Sequence, residues 1–219
     1  KTGLDRKITE AEINKLLAKF NPYKIFSEDD WHEWFKTSSK ELFEGSPSNI
    51  LKDCQSLSMY DPQIINELYN SAFYSVWRIF NPNQRNEMIK YLNEILNGEK
   101  TPNDILYTIL NLNEFINREE NNNDEFIEFE KLGKVANTCN AYAKALYYFE
   151  NDYINNDGLL ALEKLINIYN DLELPESVMG ILKIAKSKAN FAQILNENEC
   201  YMKLHQWEKA LNGIEAELE

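Results

Sequence analysis

Apolar residues recur along the chain with the 3.6-residue period of helices, in blocks separated by short polar turns. The densest block runs from Cys139 to Glu150. Tyr142, Ala145, Leu146 and Phe149 fall at i, i+3, i+4 and i+7, one face of a helix. Ala141, Ala143 and Ala145 lie among them, which predicts a core helix that neighbours approach from more than one side. With its flanks it reads as the centre of one long helix, 124–152.

In the first half, prolines punctuate the pattern. Asn21-Pro22, Asp61-Pro62, Asn81-Pro82 and Thr101-Pro102 each place a capping side chain before a Pro at the first helical position. A Pro there needs no N–H, and its φ already suits a helix. Pro22, Pro62, Pro82 and Pro102 keep a regular beat, the first interval twice as long as each of the next two. Gly45-Ser46-Pro47-Ser48 supplies the turn where the series skips. A helix and its turn fill the short interval and a hairpin the long one, the beat of HEAT-like repeats. The expected helices are 9–20, 29–44, 48–59, 62–80, 82–97 and 102–119. Thr9 with Glu12 and Ser27 with Asp30 have the spacing of capping boxes, the second with Asp in place of Glu. Trp77, in the longest apolar stretch of this half, reads as core. The polar, low-complexity run from Arg118 through Asn121-Asn122-Asn123 to Glu125 reads as a solvated linker.

After that run the period changes. Helices are expected at 158–172, 175–188, 190–204 and 206–218. One constant shift superposes Tyr169 on Tyr201, Leu172 on Leu204, Val178 on Ala210 and Leu182 on Ile214. Tyr201, Leu204, Trp207 and Ala210 follow the inter-helix pattern of tetratricopeptide (TPR) repeats, with a small Ala where helices cross. Such a unit cannot bury its apolar face alone, so neighbours must stack. The expectation is an all-α fold, a right-handed α-α superhelix (solenoid), HEAT-like over residues 1–120 and TPR-like over 121–219.

Composition narrows the function. Hydrophobic residues make up 43% of the chain, while 7 Gly and 6 Pro are too few for a turn-rich β fold or a disordered segment. No run approaches the roughly 18 apolar residues of a membrane span. A net charge of −13 leaves no basic stripe for a nucleic-acid backbone. Cys54, Cys139 and Cys200 are widely spaced, without a C-x-x-C, and read as buried thiols of a reducing compartment. A start at Lys1 rather than Met, and an end at Glu219 directly after the last hairpin, fit an excised piece of a longer array.

One cluster invites a catalytic reading. Asp29, Asp30 and Glu33 stand at i, i+1 and i+4, the spacing of an oxygen clamp that holds Mg²⁺ on a diphosphate in all-α enzymes. That chemistry needs a second metal motif, and the nearest attempt, Asn103-Asp104, places Tyr107 and Asn111 where ligands belong. The competing reading is acids stabilising a helix N-terminus, with Trp31 and Trp34 packing one side. His32 and His205 are the only histidines, and neither has a Cys or second His at ligand spacing. There is no G-x-S-x-G, no phosphate-cradling Gly loop and no kinase catalytic loop or Asp-Phe-Gly. No catalytic, cofactor-binding or metal-binding residue is assigned, and no cofactor is expected.

The chain resembles the TOR (target of rapamycin) protein kinases of the phosphatidylinositol-3-kinase-related family, where the middle HEAT repeats join the FAT domain. The resemblance rests on Ser27-Glu28-Asp29-Asp30-Trp31-His32-Glu33-Trp34 with Ser39, Glu41 and Leu42, then Tyr60-Asp61-Pro62 and the run from Leu68 to Trp77. It continues through Leu110-Asn111-Leu112-Asn113-Glu114-Phe115, Leu132-Gly133 and the run from Cys139 to Tyr148, and ends on the Leu204 to Leu211 element. Ala141-Tyr142-Ala143-Lys144-Ala145-Leu146 is its most specific piece. Residues 1–26 match poorly, and the Asn-rich run departs in composition. The resemblance implies a non-catalytic scaffold piece of a large serine/threonine kinase of nutrient and growth signalling, its kinase domain lying elsewhere. It implies protein partners: the parent's own kinase domain, a Raptor-like subunit, a Rheb-type GTPase and a second copy of the parent. It implies a cytoplasmic location, with recruitment to the endomembrane, lysosome or vacuole surface through the parent complex. The rival readings are a free-standing HEAT/TPR adaptor, the FAT region of another kinase-related protein, and a metal-dependent all-α enzyme using Asp29, Asp30 and Glu33.

Overall fold

The computed structural model describes residues 7–23, 25, 27–57, 63–98, 100–120, 126–156, 159–186, 198, 201–202 and 206–218. Among them the regular elements are eleven helices: α1 (Glu10–Phe20), α2 (Glu28–Glu44), α3 (Asn49–Leu57), α4 (Gln63–Trp77), α5 (Pro82–Leu96), α6 (Asn103–Glu120), α7 (Phe129–Thr138), α8 (Tyr142–Asn156), α9 (Leu159–Asp171), α10 (Pro175–Lys186) and α11 (Trp207–Leu218). The fold is all-α and of the helical-repeat class. The chain divides into two compact units, Lys1–Ile127 and Glu128–Glu219.

In the first unit, local sequence starts the helices. Thr9 and Glu12 form a full capping box on α1, Ser27 and Asp30 one on α2, and Asn81 and Gln84 one on α5 with Pro82 behind the cap. Each satisfies two N–H groups that a helix start leaves without partners. α2, α4 and α6 pack in a row, with α1 and α3 against α2 and α5 against α1 and α6. Phe20, Leu42, Phe43, Tyr69, Phe73, Met88, Leu92, Ile105 and Ile109 are fully buried between them.

Two of the proline signals do other work. Asn21 is the C-cap of α1, and its Oδ1 accepts from the Tyr23 N–H at 3.0 Å, a local Asx turn, so no helix starts at Pro22. Thr101 is buried and donates its hydroxyl to the Ile95 carbonyl at 2.9 Å, closing α5, while α6 begins with Leu106 N–H on Pro102 O. Asp61-Pro62 lies outside the described residues. The expected linker is also shorter than its composition implies, because Arg118, Glu119 and Glu120 form the last turn of α6; residues 121–125 lie outside the described residues.

The second unit is built in sequence order, α7 on α8, α8 on α9 and α9 on α10. The expected helix 124–152 is instead two. Ala141 N–H donates to Ala136 O at 2.9 Å and Asn140 N–H to Asn137 O at 3.0 Å, with Asn140 left-handed at φ 56°. This bond pair closes a helix and reverses the chain, and Asn tolerates the left-handed conformation best after Gly. The same pair closes α9, from Leu174 to Tyr169 at 2.9 Å and from Glu173 to Asn170 at 3.0 Å, with Glu173 at φ 56°. Gln206 N–H on Tyr201 O, at 2.9 Å, repeats the wider of the two bonds. The helices that follow begin at Tyr142, Pro175 and Trp207, at almost equal intervals. In each, the third residue after the start is buried: Ala145, Val178 and Ala210. The superposition of Tyr169 on Tyr201 and Val178 on Ala210 is therefore a structural repeat, whereas Leu204 and most of 190–204 lie outside the described residues.

The buried face of α8 differs from expectation. Ala145 and Phe149 are buried as predicted, but Tyr148 and Asp152 complete the stripe, Tyr142 and Leu146 are half-buried, and Ala143 and Tyr147 are exposed. The reason is that α8 packs chiefly on α7 and α9, so its far side meets water. Asp152, only 8% exposed, accepts from Asn156 Nδ2 at 2.7 Å. Gly133 lets α7 close onto α8: a Cβ there would lie 2.8 Å from the Phe149 ring.

Candidate functional site

The carboxylates singled out in the sequence are drawn into local structure. Asp30 Oδ2 accepts from the Ser27 N–H at 2.9 Å, so its position is set by the α2 cap. Trp31 is buried and meets Trp34 edge-on at 5.5 Å, anchoring this end of α2. The fold does bring the two acidic stretches together, since His32 Nε2 lies 3.3 Å from Asp104 Oδ2 while its Nδ1 lies 2.9 Å from Glu28 O. Yet among the described residues no three His, Cys, Asp or Glu side chains gather in a way that could hold a metal ion. His205 lies outside the described residues.

A second constellation has no counterpart in the sequence reading. Glu120 Oε1 accepts from Trp77 Nε1 at 2.8 Å and from Arg85 Nη1 at 3.3 Å. The Arg85 guanidinium also sits 4.9 Å over the Trp77 ring, and Phe126 packs against that ring at 5.6 Å. These residues border an opening of about 390 Å³ with Phe80 and Ile89. Trp77 was legible as core, but Glu120 and Phe126 stand far from it along the chain, and neither they nor Arg85 share a motif with it. The assembly holds the end of α6 against α4 and α5, and its polar groups already pair with one another.

The remaining reactive groups are quiet. Cys54 and Cys139 are partly covered, and burial pushes the Cys139 thiol up, away from the nucleophilic thiolate. Cys200 lies outside the described residues. What the second unit does display is apolar surface on α11, where Trp207 is 60% exposed and Ile214 38%, although the equivalent Leu182 of α10 is 1% exposed. No helix is long and apolar enough to cross a membrane among the described residues. The geometry is that of packed helices with outward faces.

No family model matches the chain. Individual proteins do. The chain is 35% identical over 214 residues to the serine/threonine-protein kinase mTor of Drosophila melanogaster, an alignment covering 98% of this chain and 8% of that protein. It is 34% identical over 210 residues to the serine/threonine-protein kinase TOR2 of Saccharomyces cerevisiae, covering 94% of this chain and 8% of the relative. To the serine/threonine-protein kinase TOR of Arabidopsis thaliana it is 31% identical over 194 residues, 85% of this chain and 8% of the relative. The chain thus spans about 8% of the length of the curated relatives it matches.

Proposed function

This chain belongs to the TOR (target of rapamycin) family of serine/threonine kinases as a segment, and from that membership we propose that it is a non-catalytic helical-repeat scaffold. Its parent is then a kinase of nutrient and growth signalling. The observation that carries the scaffold reading is the turn shared at Asn140, Glu173 and the Tyr201–Gln206 bond, which stacks helices at a near-constant period. Supporting it, the groups best suited to chemistry serve the fold instead: Asp30 in a cap, Asp104 with His32, Glu120 with Trp77 and Arg85.

On this reading residues 1–120 are HEAT-like repeats and 121–219 the TPR-like beginning of a FAT domain. Their outer faces carry contacts to the kinase domain of the same polypeptide, to a Raptor-like subunit, to a Rheb-type GTPase and across a dimer of the parent. The location is cytoplasmic, with recruitment to the lysosome or vacuole surface through the complex.

The test has two parts. The purified chain, given Mg-ATP and a peptide substrate, is expected to transfer no more phosphate than a heat-inactivated sample; transfer above that level overturns the non-catalytic reading. In the full-length parent, Leu182→Asp puts a charge at a buried position and should release associated subunits in co-purification while an isolated kinase domain stays active. Unchanged assembly overturns the scaffold reading. A native polypeptide near 25.7 kDa would favour a free-standing adaptor instead.

A further inference from the structure

An opening of about 640 Å³ in the first unit lies between the start of α1, the α2–α3 turn and the end of α4. Its apolar part is Ile8, Ile13, Pro47 and Ile79, the last 38% exposed. Lys7 and Arg78 are both exposed at its rim, and no carboxylate lines it among the described residues. Neither cation has an ion pair with a described carboxylate, as is also true of Lys19, Lys36 and Lys52 in the same unit, while Lys15, Lys40, Arg85 and Lys90 each have one. What distinguishes Lys7 and Arg78 is that both border one apolar opening, in a chain with 36 acidic residues against 23 Lys and Arg. A neighbouring opening of about 370 Å³ shows the ordinary case, since Glu12, Glu41 and Glu44 surround Lys15 and Lys52 there and Lys15 sits 2.9 Å from Glu41.

We propose that this opening docks a short acidic–apolar peptide of a partner protein. A bulky apolar side chain rests on Ile8, Ile13 and Ile79, and flanking Asp or Glu carboxylates pair with Lys7 and Arg78. The two halves of the surface select this ligand together. A small inorganic anion satisfies the cations but leaves the hydrocarbon wet, and an uncharged apolar segment covers the hydrocarbon but leaves both cations without counter-charge. A peptide carrying both removes apolar area from water and places its charges where the field attracts them. Ser48, a residue with a hydroxyl, borders the same opening. The surface belongs to this chain's first unit alone, so the proposal does not depend on the parent kinase.

The experiment uses the whole 219-residue chain and a fluorescein-labelled hexapeptide of alternating Asp and Leu, followed by anisotropy at low salt. Saturable binding is expected, weakening as salt rises. Replacing every Asp of the peptide by Asn, or every Leu by Ser, should weaken it about tenfold or more, since either change removes one half of the recognition. Lys7→Gln and Arg78→Gln should each weaken binding about fivefold, the effect of one rim ion pair, while Lys15→Gln leaves it unchanged. Thermal melts check the fold, which these exposed positions should not disturb. Equal binding by the Asn peptide, equal binding by the Lys7/Arg78 double variant, displacement by inorganic phosphate alone, or no binding to the well-folded chain would each overturn the proposal.

Discussion

The first unit is tied together by rings from distant parts of its sequence. Phe20 meets Trp34 at 6.2 Å and Phe73 at 5.9 Å, Phe73 stacks on Trp77 at 6.1 Å, and Trp77 meets Phe126 at 5.6 Å. The line joins α1, α2, α4 and the segment after α6. In the second unit α7 leans on α8, α8 on α9 and α9 on α10, and the same turn recurs. One unit depends on long-range contacts and the other on repeated short-range ones. The contrast teaches how each should fail: the first as a body, the second from the point of damage outward.

The strongest probe removes one buried side chain from each. Phe73→Ala should destabilise the first unit by about 3–5 kcal/mol and raise hydrogen exchange in α1, α2 and α6 as well as α4. Leu182→Ala should cost about 2–5 kcal/mol, with exchange rising in α9 and α10 while α7 keeps its protection. Equal loss of protection along the whole second unit would break the comparison. Next in size is Gly133→Ala. A better helix former gains about 1 kcal/mol, but the new Cβ meets the Phe149 ring at 2.8 Å, and such overpacking costs about 1–3 kcal/mol. Lower stability, with exchange rising first in α7 and α8, is expected; a more stable protein would show that the contact yields easily.

Alkali separates the units by a smaller effect. Tyr91 is pushed up to about 12 by burial and by Glu87, whose carboxylate accepts its hydroxyl at 2.6 Å. Burial also raises the fully enclosed Tyr69. The folded state thus holds these protons more tightly than the unfolded one. The Tyr91 contribution is complete below pH about 10, the ordinary phenol value, and is lost as pH rises from there through about 12, at most about 1.4 kcal/mol per pH unit. Tyr169 in the second unit is raised as well, by burial and Glu150. Melts between pH 9 and 12 should show a shallower decline for Tyr91→Phe than for the unaltered chain; an identical slope would mean that Tyr91 titrates alike in both states. Smallest is the turn residue. Glu173 holds φ 56°, a region that suits glycine, so Glu173→Gly should stabilise by about 0.5–1 kcal/mol. A loss of stability would mean that the Glu173 side chain supports the turn.

Much of the helical framework was legible because its signals are local. The capping boxes at Thr9 and Ser27 each join a cap residue to the side chain one helical turn on, Asn81 before Pro82 marks the start of α5, and the equivalence of Tyr169 with Tyr201 appears as a plain shift of the sequence. The break at Asn140 was not legible, because Cys139-Asn140-Ala141 contains neither Gly nor Pro and the apolar spacing runs on across it. Only the tolerance of Asn for a left-handed backbone hinted at the turn. Glu120 failed in the opposite sense: composition placed it in a loop, whereas it ends α6 and accepts two hydrogen bonds there.

By itself, then, the sequence determined an all-α chain, three of its helix starts and the period of its second half, since propensity, capping and spacing act within a few residues. Tertiary structure decided which faces are buried. It reversed the chain at Asn140, turned Ala143 and Tyr147 to water, drew Trp77, Arg85 and Glu120 together, and left Lys7 and Arg78 beside an apolar opening. Burial and charge pairing depend on which distant helix arrives as neighbour, and periodicity along one helix does not encode that.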